Sequence, residues 1–475
     1  MGGQNQALWK ECGIIGGKYA KTSNFCEHPC DVNRKLFFIP DTPHIMKSLR
    51  NHLTGHQLVT VPSSIVDELG FTCKEVKIEY IKQLFEIDSG NQLKLAPLLR
   101  ESCLQPNHFE KMKVGLAIAL LNHQTGAAIE YAVETNKISK DALTTAWFLK
   151  LMHRWFNVVA SRTKCMALSR EEGDDGETLA FLKKVRDIFT QIKIGGKGNW
   201  KPVQTGVVLA TTTILYLHSL YSEKGFDFLL SSRLTQDSLE NIFSCIRMKN
   251  PIPTPREFKK ALRVITFSQF FQTSRSTSYE NDDRVHLLNY MHLRSEDSMS
   301  GDLPFSSVND EDEVEMEELG DDEANSLFYL TGRTVRQILP HISGCEKCKD
   351  AVEGGDELPD VSLLTELKDY TGSSLIKPSK SVFAVVKTAE RCLRDQRESI
   401  LKGVITHSRI VSLALEATGS SDLPTCHDVI GKLIKNYTRT RLHILVREFN
   451  SKLRAENSVK CGSRSIGMRM ALHKL

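Results

Sequence analysis

The chain has 475 residues, of which 40% are apolar and 25% charged, with a formal net charge of +4. That length and composition allow a sizeable core, exclude wholesale disorder and suggest roughly two to four domains. No run approaches the ~18 apolar residues that cross a bilayer, and the opening MGGQNQALWK has no apolar signal core. Neither a membrane partner nor a secretory route is expected.

In chain order, KLFFIPD (35–41) reads as a short strand ending at Asp41. Pro43 is placed for the first turn of a helix, and Ile45, Leu49 and Leu53 would share one side of it. From about 79 to 225 the apolar spacing is helical. Ile78, Ile81, Leu84 and Phe85 form one stripe; Val114, Ala117, Ile118 and Leu121 another; Trp147, Phe148, Leu151 and Trp155 a third. The Gly-rich IKIGGKGNW (192–200) lacks the Ser or Thr of a phosphate-binding loop and reads as a surface turn. Residues 207–221 are apolar but broken by Thr211, Thr212, Thr213, His218 and Ser219, which predicts a buried helix.

Residues 231–248 predict, after a short lead-in, a helix with Leu239, Phe243 and Ile246 as its apolar stripe, followed by a second helix over 256–271. Composition then shifts. Residues 281–325 are polar and acidic, and positions 310–323 hold ten Asp or Glu in fourteen, a self-repelling block expected to act as a linker. Removing that −10 leaves the rest of the chain at +4 − (−10) = +14, a basic body with an acidic tether that competes for the basic face. A long helix over 427–455 closes the chain, with Lys432, Lys435, Arg439, Arg441, Arg447, Lys452 and Arg454 read as a solvated basic face.

The 12 cysteines follow no framework, which suggests a reducing compartment, the cytosol or nucleus. Only Cys345-Glu-Lys-Cys348 has metal-ligand spacing. His341 lies upstream and Cys426-His427 far downstream, so the CxxC alone is half a zinc site. In Asp237-Ser-Leu-Glu240 the i, i+3 spacing sets both carboxylates on one helix face. Taken alone, that pattern also matches a helix-capping signature.

Several motifs change that balance. NQALWKECGI (5–14), His28-Pro29, FIPDTPHIMKSLRNHL (38–53), KLAPLLRESCL (94–104), HFEKMKVGLAIALL (108–121), LLSSRLTQDSLENIFSCIRMKN with PTPREFKKALR (229–263), YLTGRTVRQIL (329–339), CEKC (345–348) and LIKPS (375–379) occur in the order found in the P-element transposase family. The chain resembles that family, which includes the animal transposase-derived proteins with THAP zinc domains. The resemblance implies a mixed α/β and α architecture: a partial RNase H-like catalytic fold, interrupted by an all-helical GTP-binding-type insertion and followed by a helical C-terminal region. The implied segments are 1–78 and 226–280 for the catalytic fold, 79–225 for the insertion, 281–325 for the acidic linker and 326–475 for the C-terminal region. The implied activity is DNA cleavage and strand transfer at transposon ends, in the nucleus, with self-association.

By the same resemblance, Asp41 and Glu240 are catalytic ligands for Mg²⁺, in a clamp where one ion activates the attacking oxygen and the other stabilises the leaving one. Asp237 and Phe156 correspond to guanosine contacts. The pattern also departs from the family. Its first catalytic Asp precedes the motif that here begins at Asn5, so cleavage is expected to be impaired and Mg²⁺ binding weakened. Leu98 stands where a phosphate-binding Lys is usual, and Asn122, Asn157 and Ala160 replace other nucleotide contacts, which counts against GTP. The rival reading is a non-catalytic, domesticated nuclear protein that binds DNA or another transposase-like subunit.

Overall fold

The computed structural model describes residues 3–18, 21–170, 176–196, 198–268, 319–342, 344–354, 358–370, 374–419 and 422–460. Most of the expected acidic linker therefore lies outside the described residues. The chain divides into two units, 1–87 with 96–316 and 88–95 with 317–475. Both are predominantly helical.

Unit 1 begins with α1 (Gly3–Glu11), the pair β1 (Ile15–Gly16) and β2 (Thr22–Ser23), and a hairpin of β3 (Phe25–His28) and β4 (Asp31–Phe37). The hairpin is antiparallel, with Phe25 opposite Phe37 and a register shift at Glu27/His28. The strand expected over 35–41 thus ends at Phe37. Asp41 lies beyond it, in an extended conformation, and caps α2 (Thr42–Thr54) by accepting the His44 backbone N–H. Ile45, Leu49 and Leu53 are buried on α2, as their spacing predicts.

Next come β5 (Val59–Thr60), α3 (Ser63–Leu69), β6 (Glu75–Val76), α4 (Ile78–Ser89), α5 (Glu101–Leu104), α6 (Val114–Leu120), α7 (His123–Glu134) and α8 (Leu143–Val159). The three helical stripes fall on α4, α6 with Leu121, and α8. There Ile78, Ile81, Leu84, Val114, Ala117, Leu121, Phe148, Leu151 and Trp155 are buried. The segment closes with β7 (Leu168–Ser169), α9 (Glu177–Gln191), β8 (Lys193–Ile194), α10 (Pro202–Glu223) and β9 (Phe228–Leu229). The 192–200 stretch is therefore not all turn: Lys193 and Ile194 pair with Thr60 and Val59, and the chain reverses only afterwards, at Gly195 with φ 83°. β5 is the middle strand of a three-stranded antiparallel sheet, and β7 pairs with β9.

α10 is long and apolar enough to cross a membrane by length and composition, but 67% of its apolar window is buried inside the protein. It is a core helix, as its sequence predicts. Trp155 on α8 donates its indole N–H to Thr211 on α10 at 2.9 Å, so the threonine that breaks the apolar run satisfies a buried donor. Gly206 lets α10 meet α2 closely, since a Cβ there would come within 2.9 Å of the Ile45 side chain. The β3–β4 hairpin docks on the same helix through Phe25, Phe37 and Tyr216, whose ring centroids lie 5.3 to 5.7 Å apart.

The helix expected within 231–248 follows a short lead-in, as anticipated. Ser231–Leu234 is a 3₁₀ turn, and α11 spans Asp237–Lys249. Ser231 is held by distant backbone instead: its hydroxyl donates to Val158 O at 2.6 Å and accepts from Ser161 N at 2.9 Å. α12 (Pro255–Ser268) follows. Thr254 and Glu257 form its capping box, with Thr254 N donating to the Glu257 carboxylate at 2.8 Å and Glu257 N to the Thr254 hydroxyl at 3.4 Å.

Unit 2 comprises α13 (Asp321–Ile338), α14 (Glu346–Val352), α15 (Pro359–Lys368), α16 (Lys380–Asp395), α17 (Arg397–Leu401), α18 (His407–Thr418) and α19 (Val429–Lys460). Its core joins Leu93 to Leu327, Val335, Val386, Leu433 and Tyr437. The acidic block does not stay wholly outside the fold. Asp321, Asp322 and Glu323 form the first turn of α13, where carboxylates favour the helix dipole. Glu323 accepts both Arg394 N–H groups at 2.9 Å and the backbone N–H of Gln92 and Leu93 at 2.6 and 3.1 Å.

Arg441 also departs from expectation. Glu390, fully buried on α16, accepts from Arg441 Nε at 3.1 Å, Arg394 Nε at 3.0 Å and the Tyr437 hydroxyl at 2.6 Å. Arg441 is therefore part of the core and not of the basic face of α19. Burial pulls its pKa down, but the Glu390 charge outweighs this and holds it above its usual value. Lys435, Arg439 and Arg447 are exposed as predicted.

Candidate functional site

The carboxylates singled out in the sequence meet at the start of two helices. Asp41 Oδ2 accepts His44 N at 3.2 Å, and Asp41 Oδ1 accepts Gln236 N, the residue before α11, at 2.9 Å. One buried carboxylate thus takes backbone donors from the N-termini of both α2 and α11, where the helix dipoles favour negative charge. This cross-link spans 195 residues of chain and brings Asp237 and Glu240 to Asp41. Gln236, not Asp237, is the residue preceding α11, and it makes no side-chain cap. The capping reading of Asp237 therefore fails.

Lys47, one and a half helical turns into α2, is buried at this junction. Burial lowers its pKa, while Asp41, Glu240 and Asp237 each pull it upward. It stands as a cationic partner among the three carboxylates. Asp237 is further engaged by Arg162, which donates at 2.7 Å. Arg50, from the same motif, is fully buried and donates to the carbonyls of Lys111 at 2.7 Å and Glu110 at 3.3 Å. It ties α2 to the turn that precedes α6.

A two-metal clamp needs open carboxylate oxygens on converging elements. Here both Asp41 oxygens accept backbone N–H groups, Asp237 is paired with Arg162, and Lys47 already places a positive charge among the carboxylates. The arrangement as it stands does not suit two dications.

The expected nucleotide contacts are scattered in role. Leu98 is exposed, and Asn122 is the N-cap of α7, accepting Gln124 N at 2.8 Å. Phe156 is half-buried on α8. Asn157 Nδ2 lies 3.0 Å from His153 Nε2 on the same helix. Burial pushes the His153 pKa down to about 4. The unfolded chain then holds the extra proton between its ordinary value and about 4. This contribution to stability is complete above the unfolded pKa and is lost as pH falls toward 4, by about 2 kcal/mol at pH 5. His153→Gln is expected to narrow its stability gap to the parent protein by that amount between pH 7 and pH 5, as measured by denaturant titration at both pH values.

Two further features emerge. On α12, Arg256, Lys259, Lys260 and Arg263 are all exposed and stand at i, i+3, i+4 and i+7, a single cationic stripe. In unit 2, Cys345 and Cys348 are joined by Cys426 and His427, with their four ligand atoms within 4.8 Å of one another. His341 is not in this group. The stripe's spacing was present in the sequence. The cysteine–histidine group depends on a contact 81 residues long, which no local pattern carries.

Two family models fall on the chain, both of transposase type. The TNP-like GTP-binding insertion domain matches residues 43–171, and the C-terminal domain of DNA transposase THAP9 matches 316–443. The Drosophila melanogaster protein called Transposable element P transposase is 24% identical over 474 residues, covering 96% of this chain. The chain spans 58% of that relative's length. A solved Drosophila P element transposase strand transfer complex is similar over 57% of this chain and 59% of its own, with 26% identity and a TM-score of 0.49. The two family models and the curated relative together support a P-element transposase-like family for the chain.

Proposed function

We propose that the chain is a nuclear, P-element transposase-like DNA-binding protein whose Asp41–Glu240 pair gives at most slow strand cleavage. The observation that carries the DNA-binding half is the stripe of four exposed cations on α12, which begins six residues after α11 ends and is spaced to follow a phosphate backbone. Lys435, Arg439 and Arg447 on α19 supply further exposed positive charge in unit 2. The cleavage half draws on the buried Lys47 and on the backbone donors that occupy Asp41. The hairpin β3–β4 leading into α2, with α11 set against its start, is read as part of an RNase H-like fold, and the helices after it as the insertion. GTP binding is expected to be lost, since Leu98 offers no cation to a phosphate and Asp237 is held by Arg162.

The test uses the full chain and duplex DNA. Affinity should fall steeply and linearly in log–log form with added salt. Nicking in Mg²⁺ or Mn²⁺ should be absent or slow. Rapid, multiple-turnover nicking that Asp41→Asn or Glu240→Gln abolishes would overturn the cleavage half. Affinity indifferent to salt would overturn the other.

A further inference from the structure

We infer that unit 2 holds a structural zinc ion bound by Cys345, Cys348, Cys426 and His427. Such a site stands whether or not the chain binds DNA. Cys345 precedes α14, and its carbonyl accepts the backbone N–H of Cys348 at 3.1 Å and of Lys349 at 3.0 Å. That turn sets the thiols of a CxxC side by side. Cys426 and His427 lie in the turn before α19, which ends in Asp428 with φ 48°, a left-handed value uncommon for a residue with a side chain. A strained turn of this kind persists where its surroundings fix it.

The four ligand atoms form a compact polyhedron. Cys348 Sγ lies 3.1 Å from Cys426 Sγ and 3.4 Å from His427 Nδ1. Cys426 Sγ lies 3.9 Å from Cys345 Sγ and 3.2 Å from His427 Nδ1. A tetrahedron with Zn–S of about 2.3 Å and Zn–N of about 2.0–2.1 Å has edges of roughly 3.5–3.8 Å. The observed edges bracket that range. Three thiolates and an imidazole are soft donors that select zinc over hard ions such as Mg²⁺. Four protein ligands leave no open position, so the site is structural and not catalytic.

The balance is simple. Zn²⁺ binds as the three thiols release their protons to solvent, and neutral His427 donates its Nδ1 lone pair, leaving the centre with one negative charge. A disulfide between Cys348 and Cys426 would use two donors and leave Cys345 and His427 without a purpose. The ion would close an 81-residue loop between Cys345 and Cys426. It would thereby pin the start of α19 beside α14, whose Cys348 and Val352 lie in the same core as Val429 and Leu433.

The test is metal analysis of the full chain purified under reducing conditions. About one zinc per chain is expected, and Cys345→Ser or His427→Ala should lose most of it while Cys392→Ser keeps it. Should those variants fail to fold, the parent protein still decides. Exchange with Co²⁺ should give the thiolate-to-cobalt charge-transfer and intense visible bands of a tetrahedral centre. Zinc-free protein that takes up neither Zn²⁺ nor Co²⁺ at equimolar concentration would overturn the inference. So would a peptide map showing Cys348 linked to Cys426.

Discussion

Glu390→Ala is expected to destabilise unit 2 by about 3–5 kcal/mol, the usual cost of removing one partner from a buried ion pair. Glu390 is fully buried and serves two guanidiniums and one hydroxyl. Arg394 keeps its two bonds to Glu323 after the change. Arg441, almost wholly buried, loses its counter-ion, and Tyr437 loses its acceptor. At roughly 2–4 °C per kcal/mol for a unit of this size, calorimetry should show its transition fall by about 10 °C. Amide exchange should quicken in α16 and α19. The cost comes from stranding charge, so the triple change Glu390→Leu, Arg441→Met, Tyr437→Phe should recover most of it. A triple variant as unstable as the single one would mean that the network contributes by shape and not by charge.

Replacing Arg256, Lys259, Lys260 and Arg263 together with Gln is expected to weaken duplex DNA binding by about 10²–10³-fold near 0.1 M salt. The log–log salt slope should fall in magnitude by about 3–4, because each neutralised phosphate contributes about 0.9. The capping box at Thr254 and Glu257 is untouched by these changes, and Gln is a good helix former. α12 should therefore persist, and circular dichroism can check it. Titration across a range of salt separates the outcomes. An unchanged slope would remove α12 from the DNA-binding surface, whatever happens to affinity.

Much of unit 1 is legible from spacing. The stripes on α2, α4, α6 and α8 lie where a 3.6-residue period places them, because burial of one helix face is a local property. The site was only half legible. Asp41, Asp237 and Glu240 could be named from motifs, but the bond from Gln236 to Asp41 spans 195 residues and has no local signature. The burial of Lys47 and Arg441 has no sequence signature, for one reason. A cation is normally solvent-exposed, and only a distant carboxylate makes its burial tolerable. Glu390, 51 residues from Arg441, is such a carboxylate. Glu323 shows the converse. It sits in a block whose composition says solvent, yet Arg394 draws it into the core.

The eight residues 88–95 belong to unit 2, though they leave and rejoin the chain within unit 1. Their consequence is one of timing. Gln92 and Leu93 donate to Glu323, which lies 231 and 230 residues further on. Lys368 donates to Leu95 O at 2.8 Å across 273 residues. At about 5–20 residues per second, synthesis leaves this segment waiting for roughly 10–50 s before its partners exist. A fragment beginning at 317 would never receive it. It would lack Leu93 from its core and the backbone donors that Glu323 accepts. The second unit of this protein is thus completed by a piece translated long before it, and cutting the chain between the two cannot yield a whole second half.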